Sequence, residues 1–148
     1  MAQVVLIGAI GVAGLAALAS AASWTPWGLG VSAAGMLVIA AGLAIGGAAY
    51  AGLRSTASFS PFPRPLDDGG LIESGIYRRI RHPMYVGVVL GALGWGLVAG
   101  SVVAVVLAFA LAGLLDAKAR REEIWLLDRH PDYREYRSRT RRFIPGVY

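Results

Sequence analysis

Two long uncharged stretches dominate the pattern of apolar and polar positions along the chain. No Asp, Glu, Lys or Arg occurs from Met1 to Leu53, and a second uncharged stretch runs from His82 to Leu115. A membrane-spanning helix needs about 20 predominantly apolar residues, so each stretch is long enough to cross a bilayer. The pattern therefore predicts an α-helical membrane protein.

The first uncharged stretch is interrupted by a turn-like segment with two tryptophans at residues 23–28. Because Trp is enriched at the membrane–water interface, this segment is predicted to be a loop between two spans, near residues 3–22 and 28–51. Residues 1–22 lack the basic n-region of a secretory signal peptide. We therefore expect them to remain as a span rather than to be cleaved.

The second uncharged stretch is too long for one span. As a single helix it would extend about 50 Å, well beyond a hydrocarbon core of about 30 Å. A fold-back near residues 99–101 is predicted, which gives spans near residues 83–98 and 102–117. The expected fold is an all-α integral membrane bundle of about four transmembrane helices, in a single domain over residues 1–148.

The composition agrees with a membrane protein and sets its orientation. Only 16% of residues are charged, against about 25% in an average globular chain. The 14 basic residues lie outside both uncharged stretches, so the positive-inside rule places segments 52–82 and 118–148, and both termini, in the cytoplasm. Because the chain has no cysteine, a disulfide-stapled module and a cysteine-ligated zinc site are excluded.

Glycines recur at the four-residue spacing that allows close helix packing in membranes. The alternative is that a chain with 20 glycines produces such spacings by chance. Both interpretations remain open for the three pairs Gly42 and Gly46, Gly87 and Gly91, and Gly96 and Gly100.

The third span is predicted to begin at Pro83, because proline suits the first helical position and disfavours helix in the residue before it. A helix N-terminus has free N–H groups and a partial positive charge, which suit a carboxylate or phosphate. Arg81 and His82 would add donors there. The alternatives are a snorkelling arginine and a simple histidine N-cap.

Beyond the fourth span the helix is expected to continue with a charged face. Lys118 and Glu122 are spaced i, i+4 and share that face. Glu122 and Glu123 are about 100° apart, so at most one easily points inward. The alternative is a solvated charge run. A further helix is predicted from Pro131, and its basic residues favour anionic lipid headgroups over nucleic acid as partners.

Together, these segments resemble the isoprenylcysteine carboxyl methyltransferase family and the related membrane phospholipid methyltransferases. The resemblance covers about residues 60–148, and its strength lies in the order and spacing of the motifs. The motifs are Gly75-Ile76-Tyr77, Arg81-His82-Pro83-Met84-Tyr85-Val86-Gly87, Leu93-Gly94-Trp95, Glu122-Glu123, Tyr133 with Tyr136, and Arg142-Phe143-Ile144-Pro145.

The resemblance implies an integral membrane enzyme that transfers a methyl group from S-adenosylmethionine to a lipophilic acceptor and releases S-adenosylhomocysteine. The cofactor would bind in a cytosolic pocket formed by the central loop and a C-terminal helix. The family's substrate-contacting arginine falls on Lys118 here, so the expected catalytic residues are Lys118 and Arg121, with Arg120 as an alternative to Arg121. The expected cofactor-binding residues are Gly69, Gly70, Leu71, Ile72, Tyr77, Arg81, His82, Pro83, Tyr85 and Glu122.

The acceptor itself is left open by the sequence. An isoprenylated cysteine, a phospholipid amine and another apolar molecule are all compatible with the motifs, and neither a metal nor a nucleic acid is expected as a partner. The rival hypothesis is a non-enzymatic membrane scaffold or assembly protein. A small transporter is less favoured, because the predicted spans carry no ionisable residue near mid-membrane.

Overall fold

The computed structural model describes residues 28–55 and 71–148, with isolated helical positions between residues 5 and 16. The helices are α1 (Gly28–Ser55), α2 (Pro83–Val98), α3 (Val102–Arg129) and α4 (Tyr133–Arg139), with a 3-10 helix at Gly75–Arg78. These ranges contain no β-strand beyond one isolated bridge, which confirms the all-α prediction for them. The predicted span near residues 3–22 lies largely outside the described residues.

Two of the described helices are long and apolar enough to cross a membrane, namely α1 over Gly28–Arg54 and α3. The bounds of α2 match the predicted span, but its 16 residues are short for a crossing. Large apolar side chains on α1 are strongly exposed, as with Leu29 at 91% and Leu37 at 73%. Such a surface fits lipid better than water. The total of four spans stays a prediction.

The contact between α1 and α2 depends on glycine. A Cβ added to Gly94 would lie 2.6 Å from the carbonyl oxygen of Gly35, and one added to Gly87 would lie 2.9 Å from that of Gly42. The space around a Cβ on Gly91 is open. The two backbones therefore approach closely at particular glycines, as in other small-residue membrane interfaces, and chance spacing does not account for Gly42 and Gly87.

A tight turn reverses the chain between α2 and α3, as the sequence predicts for residues 99–101. Gly100 has φ +60°, a conformation that glycine adopts without steric cost. The Ser101 hydroxyl then accepts a hydrogen bond of 3.2 Å from the Ala104 amide and caps α3. Helix α3 continues to Arg129, well past the predicted end of the span at residue 117. The charged residues after Leu115 therefore belong to the same helix, as the sequence predicts.

The segment after α4 returns to the start of α2. Ile80 and Arg141 form a parallel bridge, in which the Arg141 amide donates to the Arg79 carbonyl at 3.0 Å and the Arg81 amide donates to the Arg141 carbonyl at 2.8 Å. Next to the bridge, the His82 amide donates to the Arg142 carbonyl at 3.1 Å. This pairing brings the C-terminal segment, residues 140–148, against the residues that precede α2.

Candidate functional site

His82 is the centre of a polar cluster between the start of α2, the charged part of α3 and the C-terminal segment. Its Nδ1 lies 3.7 Å from Oε2 of Glu122, and its Nε2 lies 3.4 Å from Oε1 of Glu123. The imidazole stacks on the Tyr85 ring, with centroids 5.3 Å apart, and its other neighbour is the tilted ring of Phe143. Two carboxylates and two aromatic rings therefore surround this imidazole.

The first turn of α2 uses most of its own main-chain donors. Pro83 has no N–H, the His82 amide donates to Arg142, and the Tyr85 amide donates to the His82 carbonyl at 3.1 Å. A helix start normally leaves four N–H groups without partners. Side chains around His82, rather than the helix terminus alone, must therefore supply most contacts to a ligand here. His82 occupies the N-cap position of α2, but its imidazole makes no capping hydrogen bond.

Glu122 is the accessible carboxylate of the cluster. The Tyr85 hydroxyl lies 2.8 Å from each of its carboxylate oxygens. Nζ of Lys118 is 3.6 Å from Oε1 and 5.1 Å from the centroid of the Tyr85 ring. About a third of the Glu122 and Lys118 side chains is exposed, so both can reach a ligand.

Glu123 is buried and held by two arginines. Its side chain is 2% exposed, and its Oε1 accepts from Nε of Arg81 at 2.9 Å and from Nε of Arg142 at 3.1 Å. Oε2 accepts from Nη2 of Arg142 at 3.0 Å. The hydrogen bonds with Glu123 raise the pKa of the Arg142 guanidinium above its ordinary value, so the pair stays ionised.

Arg81 continues this network into the main chain. Its Nη1 donates to the Thr140 carbonyl at 2.7 Å, and 8% of its side chain is exposed. A snorkelling arginine would keep its head in water, whereas this guanidinium is buried between Glu123 and residue 140. Its predicted role as a cofactor contact stays a prediction.

A second set of polar contacts surrounds the Tyr148 hydroxyl. This hydroxyl accepts from Nη1 of Arg142 at 2.7 Å and from Nη2 of Arg120 at 2.8 Å, and it donates to Oδ1 of Asp116 at 3.0 Å. Nη1 of Arg142 also donates to Oδ1 of Asp116 at 3.1 Å. Arg142 therefore joins the buried Glu123 to this more exposed set.

An apolar cavity of about 250 Å³ lies directly beside the polar cluster. It lies between α2, α3 and the C-terminal segment, and Tyr85 belongs both to its wall and to the cluster. Its lining residues are Tyr85, Val86, Val89, Leu90, Ala112, Leu115, Phe143 and Ile144.

The structure brings together four of the predicted site residues: His82, Tyr85, Lys118 and Glu122. Tyr77 lies apart from them. Its ring is next to Gly52 of α1, its carbonyl accepts from the Tyr136 hydroxyl at 2.8 Å, and burial raises its pKa to about 12.

The other predicted residues lie at the margin of the cluster or outside it. Leu71 and Ile72 are half-buried ahead of the 3-10 helix, Arg121 is exposed, and Arg120 pairs with Asp116 at 2.8 Å. Gly69 and Gly70 lie outside the described residues. Sequence reasoning gave no role to Asp116, Glu123, Arg142 or Tyr148 as a network. The sequence feature that could have indicated this network is Asp116, because it is the first charged residue after the apolar part of α3.

The polar cluster lies at the start of the apolar helix α2 and where the apolar part of α3 gives way to charged residues. The sequence profile described as phospholipid methyltransferase matches residues 31–131, which is more than half of the chain. The chain therefore belongs to the phospholipid methyltransferase family, a family of membrane methyltransferases.

Two curated relatives match over 78 residues. The cobalt-zinc-cadmium resistance protein CzcN of Cupriavidus metallidurans is 42% identical over 52% of this chain and 36% of its own length. The nickel-cobalt-cadmium resistance protein NccN of Alcaligenes xylosoxydans xylosoxydans is 36% identical over 52% of this chain and 37% of its own length. The matched region is thus little more than a third of each relative.

The comparison with solved structures finds no match. In the part of the chain that the structure describes, no group of three or more His, Cys, Asp or Glu side chains is placed to hold a metal ion.

Proposed function

We propose that this protein transfers a methyl group from S-adenosylmethionine to a lipophilic acceptor at the cytoplasmic face of the membrane. The observation that carries the proposal is the accessible cluster of Glu122, Tyr85, His82 and Lys118 beside an apolar cavity. Membership of the phospholipid methyltransferase family supports methyl transfer as the reaction.

The chemistry of the cluster fits the cofactor. When bound, S-adenosylmethionine supplies an electrophilic methyl group on a sulfonium sulfur. Glu122 can accept from the ammonium group or from the ribose hydroxyls of this cofactor. Nε2 of His82 is buried beside Oε1 of Glu123 at 3.4 Å, a contact too poorly aligned to count as a full hydrogen bond, so this nitrogen keeps capacity for a further polar contact.

The apolar cavity fits the hydrophobic part of the acceptor. A chain lying between α2 and α3 would enter from the bilayer, and its polar end would reach Tyr85, the residue shared by cavity and cluster. Methyl transfer depends mainly on alignment of the two reactants and exclusion of water, which such walls provide. Lys118 favours an anionic acceptor group such as a carboxylate, so we propose O-methylation of an isoprenylcysteine-like acceptor first and transfer to a lipid amine second.

The proposed topology is multi-pass, with four spans and both termini in the cytoplasm. Support comes from the position of charge in the fold: Arg54 lies in the last turn of α1, and Arg81 precedes α2. Consecutive antiparallel helices bring these two residues to the same side of the bilayer, which the positive-inside rule assigns to the cytoplasm.

The first experiment measures binding of S-adenosylhomocysteine to the purified protein by calorimetry. We expect saturable binding that Glu122→Gln weakens on the order of tenfold, because one charge-assisted contact is lost. Glu135→Gln is the matched control, since Glu135 is 79% exposed on α4, outside the cluster. Absence of binding in both detergent and lipid would overturn the proposal.

The second experiment tests the acceptor cavity. Lipid extracts are incubated with protein and a methyl donor carrying an isotopic label, and labelled products are identified by mass spectrometry. Ala112→Phe would fill the cavity, so we expect transfer to be lost while S-adenosylhomocysteine still binds. Ala110→Phe is the control, because Ala110 is exposed on the same helix. Equal transfer by both variants would argue against this cavity.

The alternative is a non-catalytic scaffold or assembly protein, and it is retained because the curated relatives are named for metal resistance and not for methyl transfer. That role predicts that Glu122→Gln and His82→Ala keep full cellular function. An enzymatic role predicts that both variants lose it. Complementation of a deletion strain with each variant separates the two.

A further inference from the structure

We propose that Glu123 is a positioning residue, which holds His82 and the C-terminal segment in place, while the adjacent Glu122 is the carboxylate that meets the ligand. The proposal deepens the proposed function and rests on it. It divides the paired glutamates into one that binds and one that organises the binding site.

The contacts of Glu123 leave little capacity for a ligand. The side chain is 2% exposed, Oε1 accepts from two arginines, and Oε2 accepts from Nη2 of Arg142. Nε of Arg137 lies a further 3.8 Å from Oε2. By contrast, Glu122 is 33% exposed and is contacted on the protein side by Tyr85, Lys118 and His82.

Their positions on α3 explain why two adjacent glutamates differ so much. Successive side chains of an α-helix point about 100° apart. Glu122 faces Tyr85 on α2, whereas Glu123 faces Arg142 on the C-terminal segment. One helix thus presents one carboxylate to the open cluster and the other to the protein interior.

Glu123 also controls the surroundings of His82. Arg81 and Arg142 belong to the two chain segments that pair in parallel, and both guanidinium groups meet on the Glu123 carboxylate. Without that negative charge, Arg81 would lose the carboxylate that it pairs with, Arg142 would keep the Asp116 carboxylate, and the two positive charges would repel each other. The segments would separate, and His82 would lose both the carbonyl that accepts from its amide and the Phe143 ring beside its imidazole.

The experiment compares Glu123→Gln with Glu122→Gln, the same chemical change at neighbouring positions. Three quantities are measured: S-adenosylhomocysteine affinity, unfolding temperature, and the side-chain NMR resonances of isotope-labelled histidine in the ligand-free protein. The chain has 2 histidines, so a His130→Gln variant assigns the signal of His82. The NMR signal and the unfolding temperature do not depend on turnover.

We expect Glu123→Gln to shift the His82 resonances, lower the unfolding temperature by several degrees, and weaken S-adenosylhomocysteine binding on the order of tenfold. Glu122→Gln should weaken binding at least as much and leave the unfolding temperature unchanged. Weaker binding by Glu123→Gln with unchanged His82 resonances and unchanged unfolding temperature would make Glu123 a direct ligand and overturn the inference.

Two further results keep the test decisive. If Glu123→Gln does not fold, Arg142→Lys takes its place. A lysine cannot contact both carboxylate oxygens of Glu123 as the arginine does, so this variant weakens the same ion pair. It should shift the His82 resonances in the same direction. Unchanged resonances in that variant would also overturn the inference. A wild-type protein that binds no S-adenosylhomocysteine would instead overturn the proposed function, a result distinct from a failure of the Glu123 variants.

Discussion

The Tyr85 hydroxyl donates to the Glu122 carboxylate and lies 2.8 Å from both of its oxygens, so one phenol orients the accessible acid of the site. The same ring stacks on His82 at an interplanar angle of 10°. Tyr85 therefore aligns an acid and an imidazole at once, and its hydroxyl and its ring can be tested separately.

Tyr85→Phe removes the hydroxyl and keeps the ring. We expect S-adenosylhomocysteine binding to weaken on the order of tenfold, because Glu122 is no longer held in its orientation and must be ordered by the ligand. Calorimetric titration measures the change. Tyr85→Leu removes the ring as well and should weaken binding further. Equal affinities for wild type and Tyr85→Phe would show that the orientation of Glu122 is set by other contacts.

Arg142→Met breaks the buried pair with Glu123. Removing one partner of a buried ion pair leaves the other charge uncompensated, so the free energy of unfolding should fall by about 3 kcal/mol. Arg139→Met is the control, because the Arg139 pair with Glu73 is exposed and should contribute less than about 1 kcal/mol. Thermal unfolding in detergent compares the two. Similar losses would contradict a special role for Arg142.

Gly94→Ala tests the close contact between α1 and α2. The added Cβ would meet the Gly35 carbonyl oxygen at 2.6 Å, so the helices must move apart, at a cost of about 1–3 kcal/mol. Gly91→Ala lies on the same helix with open space around the new methyl group, and it should be neutral or stabilising through helix propensity. Unfolding temperatures of the two variants give the comparison, and equal temperatures would contradict the packing described here.

Tyr133 makes the protein sensitive to alkaline pH. Burial, followed by the charge of Glu123, raises the pKa of its hydroxyl to about 12. Above about pH 10 the unfolded chain loses this proton while the folded chain keeps it, so stability falls as pH rises towards 12, by about 3 kcal/mol.

Tyr133→Phe should lessen that loss, which unfolding measured at about pH 9 and about pH 12 would reveal. The buried hydroxyl has no hydrogen-bond partner among the described residues, so the substitution should cost little at the lower pH. Burial also raises the pKa values of Tyr77 and Tyr136, so the Tyr133→Phe variant should still lose part of its stability at alkaline pH. An unchanged pH dependence would contradict the assignment to Tyr133.

Local signals made the bounds of α2 predictable from the sequence. Pro83 fixes its start, and Gly100 with φ +60° fixes the turn that follows it. The end of α3 at Arg129 was predicted only in outline, because hydropathy marks the end of an apolar run and not the end of a helix. Charged residues extend α3 with the same main-chain hydrogen bonds.

The exposed pair of the site, Lys118 and Glu122, could also be predicted from the sequence. Lys118 and Glu122 are one helical turn apart, so their shared face follows from helix geometry. The ion pair of Glu123 with Arg142 could not be predicted from the sequence, because it depends on how the chain turns back after α3. Nothing in the spacing of charges along the sequence specifies that return path.

The pairing of residues 79–82 with the C-terminal segment has a consequence for biosynthesis. The surroundings of His82 need the carbonyl and guanidinium of Arg142, which lies near the end of the chain as printed. A nascent chain that ends before residue 142 has its α2 and α3 helices and lacks these contacts. The contacts around His82 therefore form only after synthesis has reached the C-terminal segment, later than the helices that they join.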